Sequence, residues 1–254
     1  MTILLIDLGN TALKWATPDR CDTPETFVHN GDHRHNQMLY ERWLALKPSR
    51  VIGCTVASPM LAFAATKFFN KHHIPWEWVH AQKTYHSDDF VLHNRYQRPE
   101  QLGADRWYAA IGAIRQWPQQ SLLVVHAGTA TTVDSIVCES TGEYSFMGGR
   151  IAPGPTLMHH ALLSAVPTLD NELTERSAYP QCTAAAITTG VIDAQNGLIL
   201  SALEEMRCQG LDPITVLAGG AANFLYTPLK QKIPDLRLRH NLVLGGLAHQ
   251  SALH

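Results

Sequence analysis

The sequence lacks the marks of several large protein classes. Its five cysteines, Cys21, Cys54, Cys138, Cys182 and Cys208, are widely spaced. No two stand close enough for a zinc knuckle or a Cys-x-x-Cys redox pair. An odd number of scattered thiols fits reduced cysteines in a cytoplasmic protein. An excess of either charge is also missing: 20 Lys plus Arg face 22 Asp plus Glu, a net charge of -2. That balance gives no footprint for nucleic acid or an anionic membrane, so neither is expected as a partner. It leaves room for a local basic pocket that takes phosphate. No apolar run approaches the roughly 20 residues of a membrane-spanning helix. The first apolar run lacks a basic flank and is broken by Asp7, so no signal peptide is expected. There are 14 histidines, but none pairs with a Glu in a zincin-type helix motif. His72-His73, His159-His160, His33 and His35 read as solvated surface.

What is present is a chain of 254 residues, 45% hydrophobic. That suffices for one large or two small domains. It opens on Ile3-Leu4-Leu5-Ile6-Asp7-Leu8-Gly9-Asn10-Thr11. The apolar run reads as a buried strand that delivers Asp7 to its end. Gly9 lets the backbone turn and lets a ligand come close, and Asn10 and Thr11 offer hydrogen-bond donors. A carboxylate and a Gly-polar turn at a strand exit suit a nucleotide phosphate with its metal ion, or an ordinary strand and turn.

The stretch recurs. Ile6-Asp7-Leu8-Gly9-Asn10-Thr11 matches Val125-His126-Ala127-Gly128-Thr129-Ala130 position for position. Each is followed by a second strand, Ala12 to Ala16 and Thr131 to Val137, and then by a third, Phe27 to His29 and Tyr144 to Met147. The pattern suggests an internal duplication, with domains over residues 1–117 and 118–254. In between, helices are expected over Asn36 to Leu46, Pro59 to Asn70 and Gly103 to Arg115, and strands over Arg50 to Val56 and Trp76 to Val79. Ala81 to Pro99 reads as a long irregular loop. In the second half, Gly148 to Gly154 reads as a glycine-rich loop and Val166 to Gln181 as irregular. Helices are expected over Thr156 to Ser164, Thr183 to Cys208 and Leu244 to Leu253, and strands over Ile214 to Leu217 and Arg237 to His240. The strand at Ile214 ends in Ala218-Gly219-Gly220-Ala221, where a ligand can approach backbone.

Six motifs in this order carry a resemblance. They are Asp7-Leu8-Gly9-Asn10-Thr11, Gly103-Ala104-Asp105-Arg106, Gly128-Thr129-Ala130-Thr131-Thr132, Gly148-Gly149 with Ile151 and Pro153-Gly154, Thr183 with Gly190, and Ala218-Gly219-Gly220-Ala221. Together they resemble the type III pantothenate kinases and related Bvg accessory factor proteins, over nearly the whole chain. Those proteins belong to the acetate and sugar kinase, heat-shock ATPase and actin superfamily. The resemblance implies an α/β fold of two duplicated ribonuclease-H-like halves, with ATP in the cleft between them. It implies ATP-dependent phosphorylation of pantothenate to 4'-phosphopantothenate, the first step to coenzyme A. It also implies a homodimer with the pantothenate pocket near its interface. The alternative is a catalytically weak homologue acting as a regulatory or binding protein.

By the same resemblance, the nucleotide would be bound by Asp7, Leu8, Gly9, Asn10, Thr11, Ala12, Leu13 and Lys14, by Gly128 and Thr129, and by Gly219 and Gly220. Asp7 would hold Mg²⁺, through water. Lys14 would reach a phosphate, or else be an exposed strand lysine. Asp105 would be the general base, or else only a helix N-terminal acid. Phosphoryl transfer is mostly positioning and charge stabilisation, so a weakly basic carboxylate suffices if well placed. Gly103, Ala104, Asp105 and Arg106 would bind pantothenate, with Arg106 gripping its carboxylate. Tyr96 and Thr183 would line the same pocket. The family pattern has an acid where this chain has His126, and that acid helps hold a monovalent cation, K⁺ or NH₄⁺. K⁺ prefers oxygen ligands, so His126 puts the cation requirement in doubt; Asp134 on the next strand is a candidate to compensate.

Overall fold

The computed structural model describes residues 2–29, 37–166, 168–169, 172 and 174–253. His33, His35 and the expected helix start at Asn36 lie outside the described residues. The chain forms two compact units. The first comprises Met1–Gln119, Cys138–Phe146 and Asn241–His254; the second comprises Gln120–Val137 and Met147–His240.

The first unit is built on a five-stranded sheet of β1 (Ile3–Leu8), β2 (Ala12–Ala16), β3 (Glu25–Val28), β4 (Arg50–Thr55) and β5 (Trp76–Trp78), in the order β3-β2-β1-β4-β5. β1 and β2 form an antiparallel hairpin in which Leu8 faces Leu13 and Asp7 faces Lys14. β4 runs parallel to β1 and sets Cys54 beside Asp7. Successive side chains leave opposite faces of a strand. Leu4, Ile6 and Leu8 accordingly enter one cluster with Trp15, Trp43 and Phe69, beneath α1 (Gln37–Ala45) and α2 (Pro59–Lys71). Asp7 leaves by the other face. There α3 (Ala104–Gln116) and α7 (Leu242–Ala252) pack on each other and against β4, and α7 also meets β1. The two helices touch backbone to backbone, because a Cβ at Gly246 would lie 2.0 Å from the Tyr108 carbonyl oxygen.

A second sheet repeats the plan with β8 (Leu122–Ala127), β9 (Ala130–Ser140), β10 (Glu143–Pro153), β11 (Ile214–Ala218) and β12 (Arg237–Leu238). Their order is β12-β11-β8-β9-β10. In both sheets the first of these strands pairs antiparallel with the second and parallel with the fourth. This common order is the duplicated ribonuclease-H-like plan. Leu123 and Val125 of β8 pack with Ile199 and Leu203 of α5 (Thr183–Cys208) and Leu225 of α6 (Ala222–Lys230). α4 (Pro155–Ala165) packs on α5.

Two stretches expected to be irregular are ordered. Residues 81–99 contain the hairpin β6 (Thr84–His86) and β7 (Val91–Asn94). These strands are too short and polar to show a period of their own. They are held by pairing of β7 with the start of β10, from Val91 opposite Glu143 to Asn94 opposite Phe146. All but the last residue of the expected glycine loop at Gly148 to Gly154 forms the outer half of β10, whose outward positions, including Met147 and Ile151, are exposed. The other elements lie within a few residues of expectation: α7 begins at Leu242 rather than Leu244, and β3 spans Glu25–Val28 rather than residues 27–29.

Candidate active site

The hairpin turn after β1 is closed by the Gly9 N–H, which donates to the Ala12 carbonyl at 3.0 Å. The turn is tied from β3 as well. The His29 N–H donates to the Thr11 carbonyl at 3.0 Å, and the His29 Nε2 lies 3.0 Å from the Gly9 carbonyl oxygen. Asn10 is exposed at the tip. Leu8 and Leu13 bury their side chains in the core, so only their backbone is available to a ligand.

Asp7 sits at the end of this scaffold. Burial, and then repulsion from Asp105, push its pKa up to about 7, while Lys14 and a bond from Cys54 act in the opposite direction. The Cys54 thiol lies 3.9 Å from Asp7 Oδ1. Burial and the two carboxylates raise that thiol well above its ordinary pKa, so it stays a neutral S–H donor. Lys14, opposite Asp7 across the hairpin, donates to Asn241 Oδ1 at 3.3 Å. Asn241 is in the left-handed region, φ 62°, and is the N-cap of α7.

Asp105 lies in the first turn of α3, beside the N-cap Gly103. Its Oδ1 accepts the Arg106 backbone N–H at 2.8 Å, which fixes the carboxylate's rotation. A Cβ at Gly103 would come within 2.6 Å of that oxygen. Ala104 is buried. Arg106 is only 6% exposed. Its Nη1 donates to Tyr96 Oη at 2.8 Å, and its guanidinium lies over the rings of Tyr96 and Phe146, 5.7 Å from each centroid. A buried cation stacked on two aromatic faces is held rigidly and keeps its charge.

In the second unit, the turn after β8 is closed by the Gly128 N–H, which donates to Ala130 O at 3.0 Å. Ala127 faces Thr131, whereas Leu8 faces Leu13. The second turn is thus one residue shorter than the first, and the position-for-position match ends there. Two glycines let other segments close on this turn. Gly154 donates to Thr129 O at 2.9 Å, and a Cβ on it would lie 2.0 Å from Gly128 O. Gly219, with φ +98°, would place a Cβ 2.2 Å from Ala127 O and 2.5 Å from the His126 ring. Gly220 has open space around its Cα. Thr183 is exposed at the first turn of α5.

Comparison with known proteins places the chain in a family. A profile of the family described as type III pantothenate kinase matches residues 3–205. The chain belongs to the type III pantothenate kinase family. The type III pantothenate kinase of Azoarcus sp. (strain BH72) is 36% identical over 249 residues, covering 97% of this chain and 89% of the relative. That of Aromatoleum aromaticum is 37% identical over 255 residues, covering 97% and 96%. Among solved structures, a Campylobacter jejuni protein described as a conserved Baf family transcriptional activator superposes with a TM-score of 0.57. It is 18% identical and covers 99% of this chain and 100% of that one. The activator of the 2-hydroxyisocaproyl-CoA dehydratase from Clostridium difficile, with bound ADPNP, gives a TM-score of 0.53 at 12% identity, covering 98% and 92%. At these identities the two structures show the fold.

The first unit of this type III pantothenate kinase family member holds the sequence candidates Asp7 to Lys14, Tyr96 and Gly103 to Arg106. Asp7 and Asp105 lie within electrostatic reach, and Tyr96 and Arg106 are in contact. Gly128, Thr129, Gly219, Gly220 and Thr183 belong to the second unit. Three residues at the first-unit site escaped sequence reasoning: Cys54, His29 and Asn241. Cys54 lies inside an apolar run and His29 next to a polar loop. Asn241 had one available signal, since Asn is a residue that tolerates the left-handed region and caps helices.

Proposed function

We propose that the chain transfers the γ-phosphoryl group of ATP to pantothenate, giving 4'-phosphopantothenate for coenzyme A synthesis, with Asp105 as general base. The observation that carries this reading is the rigid pair formed by Asp105 and Arg106 at the head of α3. One side chain is a carboxylate locked by a backbone N–H, and the next is a buried cation locked by Tyr96. Arg106 holds the pantothenate carboxylate as a fixed fork. Asp105 accepts the proton of the attacking hydroxyl. Asn10, exposed at the tip, and Thr11 in the first turn, and Thr129 in the second, offer backbone amides for phosphate oxygens, since the Gly9 and Gly128 N–H groups close their own turns. Gly219 and Gly220 leave backbone open to the nucleotide.

The residues fit Mg²⁺. Asp7 holds a proton near neutrality because it is buried beside a second carboxylate, and a divalent cation supplies the charge this pair lacks. Among the described residues no three His, Cys, Asp or Glu side chains form a cage. That suits Mg²⁺, which takes one or two carboxylates, the phosphates and several waters. When bound, the ion neutralises charge on the phosphates. His126 brings an imidazole instead of a carboxylate oxygen to the end of β8, a poor ligand for K⁺, which prefers oxygen. A homodimer is part of this reading; the exposed apolar side chains Met147 and Ile151 on β10 and Leu157 and Leu162 on α4 support it.

The test is a coupled assay for ADP with and without pantothenate, together with Asp105→Asn. Pantothenate-dependent ADP release is expected from the natural chain. Asp105→Asn is expected to abolish it while ATP still binds in a calorimetric titration. Near-normal turnover in that variant removes Asp105 from its role.

A further inference from the structure

We infer that His29 is a positioning residue for the first phosphate turn: its imidazole holds the Gly9 carbonyl and so aims the Asn10 N–H at the nucleotide. The inference rests on the reading above that the Gly9–Thr11 turn receives phosphate.

In a trans peptide the C=O of one residue and the N–H of the next point in opposite directions within one rigid plane. The His29 Nε2 lies 3.0 Å from the Gly9 carbonyl oxygen. A carbonyl only accepts, so Nε2 carries the proton. Anchoring that carbonyl on β3's side of the turn turns the Asn10 N–H the other way. The Gly9 N–H contributes nothing to a ligand, because it closes the hairpin onto Ala12. The Asn10 amide is therefore the first donor the turn can offer, and His29 sets its direction. The backbone of the same residue anchors the Thr11 carbonyl at 3.0 Å. His29 thus grips the turn on both sides of the Asn10–Thr11 peptide.

His29 is suited to this task. It is 6% exposed and lines an apolar space with Leu8, Leu13, Phe27, Leu39 and Trp43. Burial lowers its pKa, so the ring stays neutral in the ordinary working range. A neutral donor orients the turn without placing a fixed positive charge behind it. The apolar side chains beside the ring limit its movement away from the Gly9 carbonyl.

The test compares His29→Phe, which fills the apolar space without a donor, with His29→Gln, which restores an N–H donor. Gly9→Val, which crowds the turn against the Ala12 carbonyl, serves as the reference. Steady-state kinetics on the full chain and thermal unfolding without nucleotide are measured for each. The expected result is a KM for ATP raised about five- to tenfold in His29→Phe, the equivalent of one neutral hydrogen bond. kcat and the KM for pantothenate are expected to stay near those of the natural chain, and His29→Gln to recover most of the loss. An unchanged KM for ATP in His29→Phe overturns the proposal. So does a loss spread equally over kcat and both KM values, a His29→Gln no better than His29→Phe, or a His29→Phe that does not fold. If Gly9→Val raises the KM for ATP and His29→Phe does not, only the role of His29 fails. If neither raises it, the assignment of phosphate to this turn fails as well.

Discussion

Lys14 and Asn241 stand 227 positions apart in the chain, yet the Lys14 ammonium donates to Asn241 Oδ1 at 3.3 Å. Asn241 in turn donates from Nδ2 to the Asp22 carbonyl at 3.3 Å, so its amide is fixed at both ends. The last helix of the chain therefore reaches back to orient the lysine that faces Asp7. Asn241→Gly keeps a residue at ease with positive φ while deleting the amide. It is expected to raise the KM for ATP by about three- to tenfold, the scale of a single hydrogen bond to a charged group in a partly solvated setting. In Lys14→Ala the same change is expected to have little further effect, since the two residues act as one unit. Additive losses in that double-mutant cycle would separate them.

Asp7 gives the nucleotide-free protein a signature in pH. Its folded pKa is raised to about 7 from an ordinary 3.8. Between those values the folded state keeps a proton that the unfolded chain has released. The stabilisation is fully present below pH 4 and is lost as pH rises toward 7. Asp7→Asn removes this titration. The difference in melting temperature between Asp7→Asn and the natural chain is expected to grow in favour of the variant from pH 4 to 7, reaching a few kcal/mol in equivalent stability. His29 and His249, both lowered by burial, contribute the opposite slope, and taking the difference between the two proteins cancels it. A flat difference curve would mean that Asp7 titrates normally.

Gly154 tests the second turn. A methyl at this position would lie 2.0 Å from Gly128 O and 2.8 Å from Thr129 O, both rigid backbone atoms. Gly154→Ala must displace the turn, at an overpacking cost of about 1–3 kcal/mol. It is expected to lower the melting temperature and raise the KM for ATP about tenfold or more, with the KM for pantothenate less affected. Gly190→Ala is the comparison, because a Cβ there meets nothing within 4 Å. It is expected to be neutral or mildly stabilising, as alanine favours a helix.

His126 makes the response to monovalent cations testable. Its ring lies close to the backbone of Gly219 and brings no carboxylate to the end of β8. Turnover is expected to be the same in KCl, NH₄Cl and choline chloride at equal ionic strength. Activation by K⁺ in the natural chain would show that other oxygen ligands replace the missing acid. His126→Asp is the converse experiment, and it is expected to make activity rise with K⁺.

Much of this was legible in the chain. The apolar runs before Gly9 and Gly128 define β1 and β8 through their hydrophobicity alone. The long period of the alanine-rich stretch defines α5 from Thr183 to Cys208. Asp7 stood out as a carboxylate at a strand exit before a glycine turn, whereas Asp105 and Arg106 stood out through the resemblance of Gly103-Ala104-Asp105-Arg106 to a family motif. β6, β7 and the outer half of β10 did not stand out. Their residues have weak local preference, and they are strands because of partners distant in sequence.

The sequence by itself determined the repeated strand–turn–strand, the spacing of the glycine turns and the types of residue available for phosphoryl transfer, because these follow from local pattern and side-chain chemistry. Only the tertiary structure decided how each of those residues is held. Sheet register put Cys54 beside Asp7, the path of β3 brought His29 to the Gly9 carbonyl, and the packing of α7 on α3 carried Asn241 to Lys14. Such contacts join segments whose sequences are independent of each other. They arise when burial and hydrogen bonding fix the whole unit at once, so no local stretch contains them.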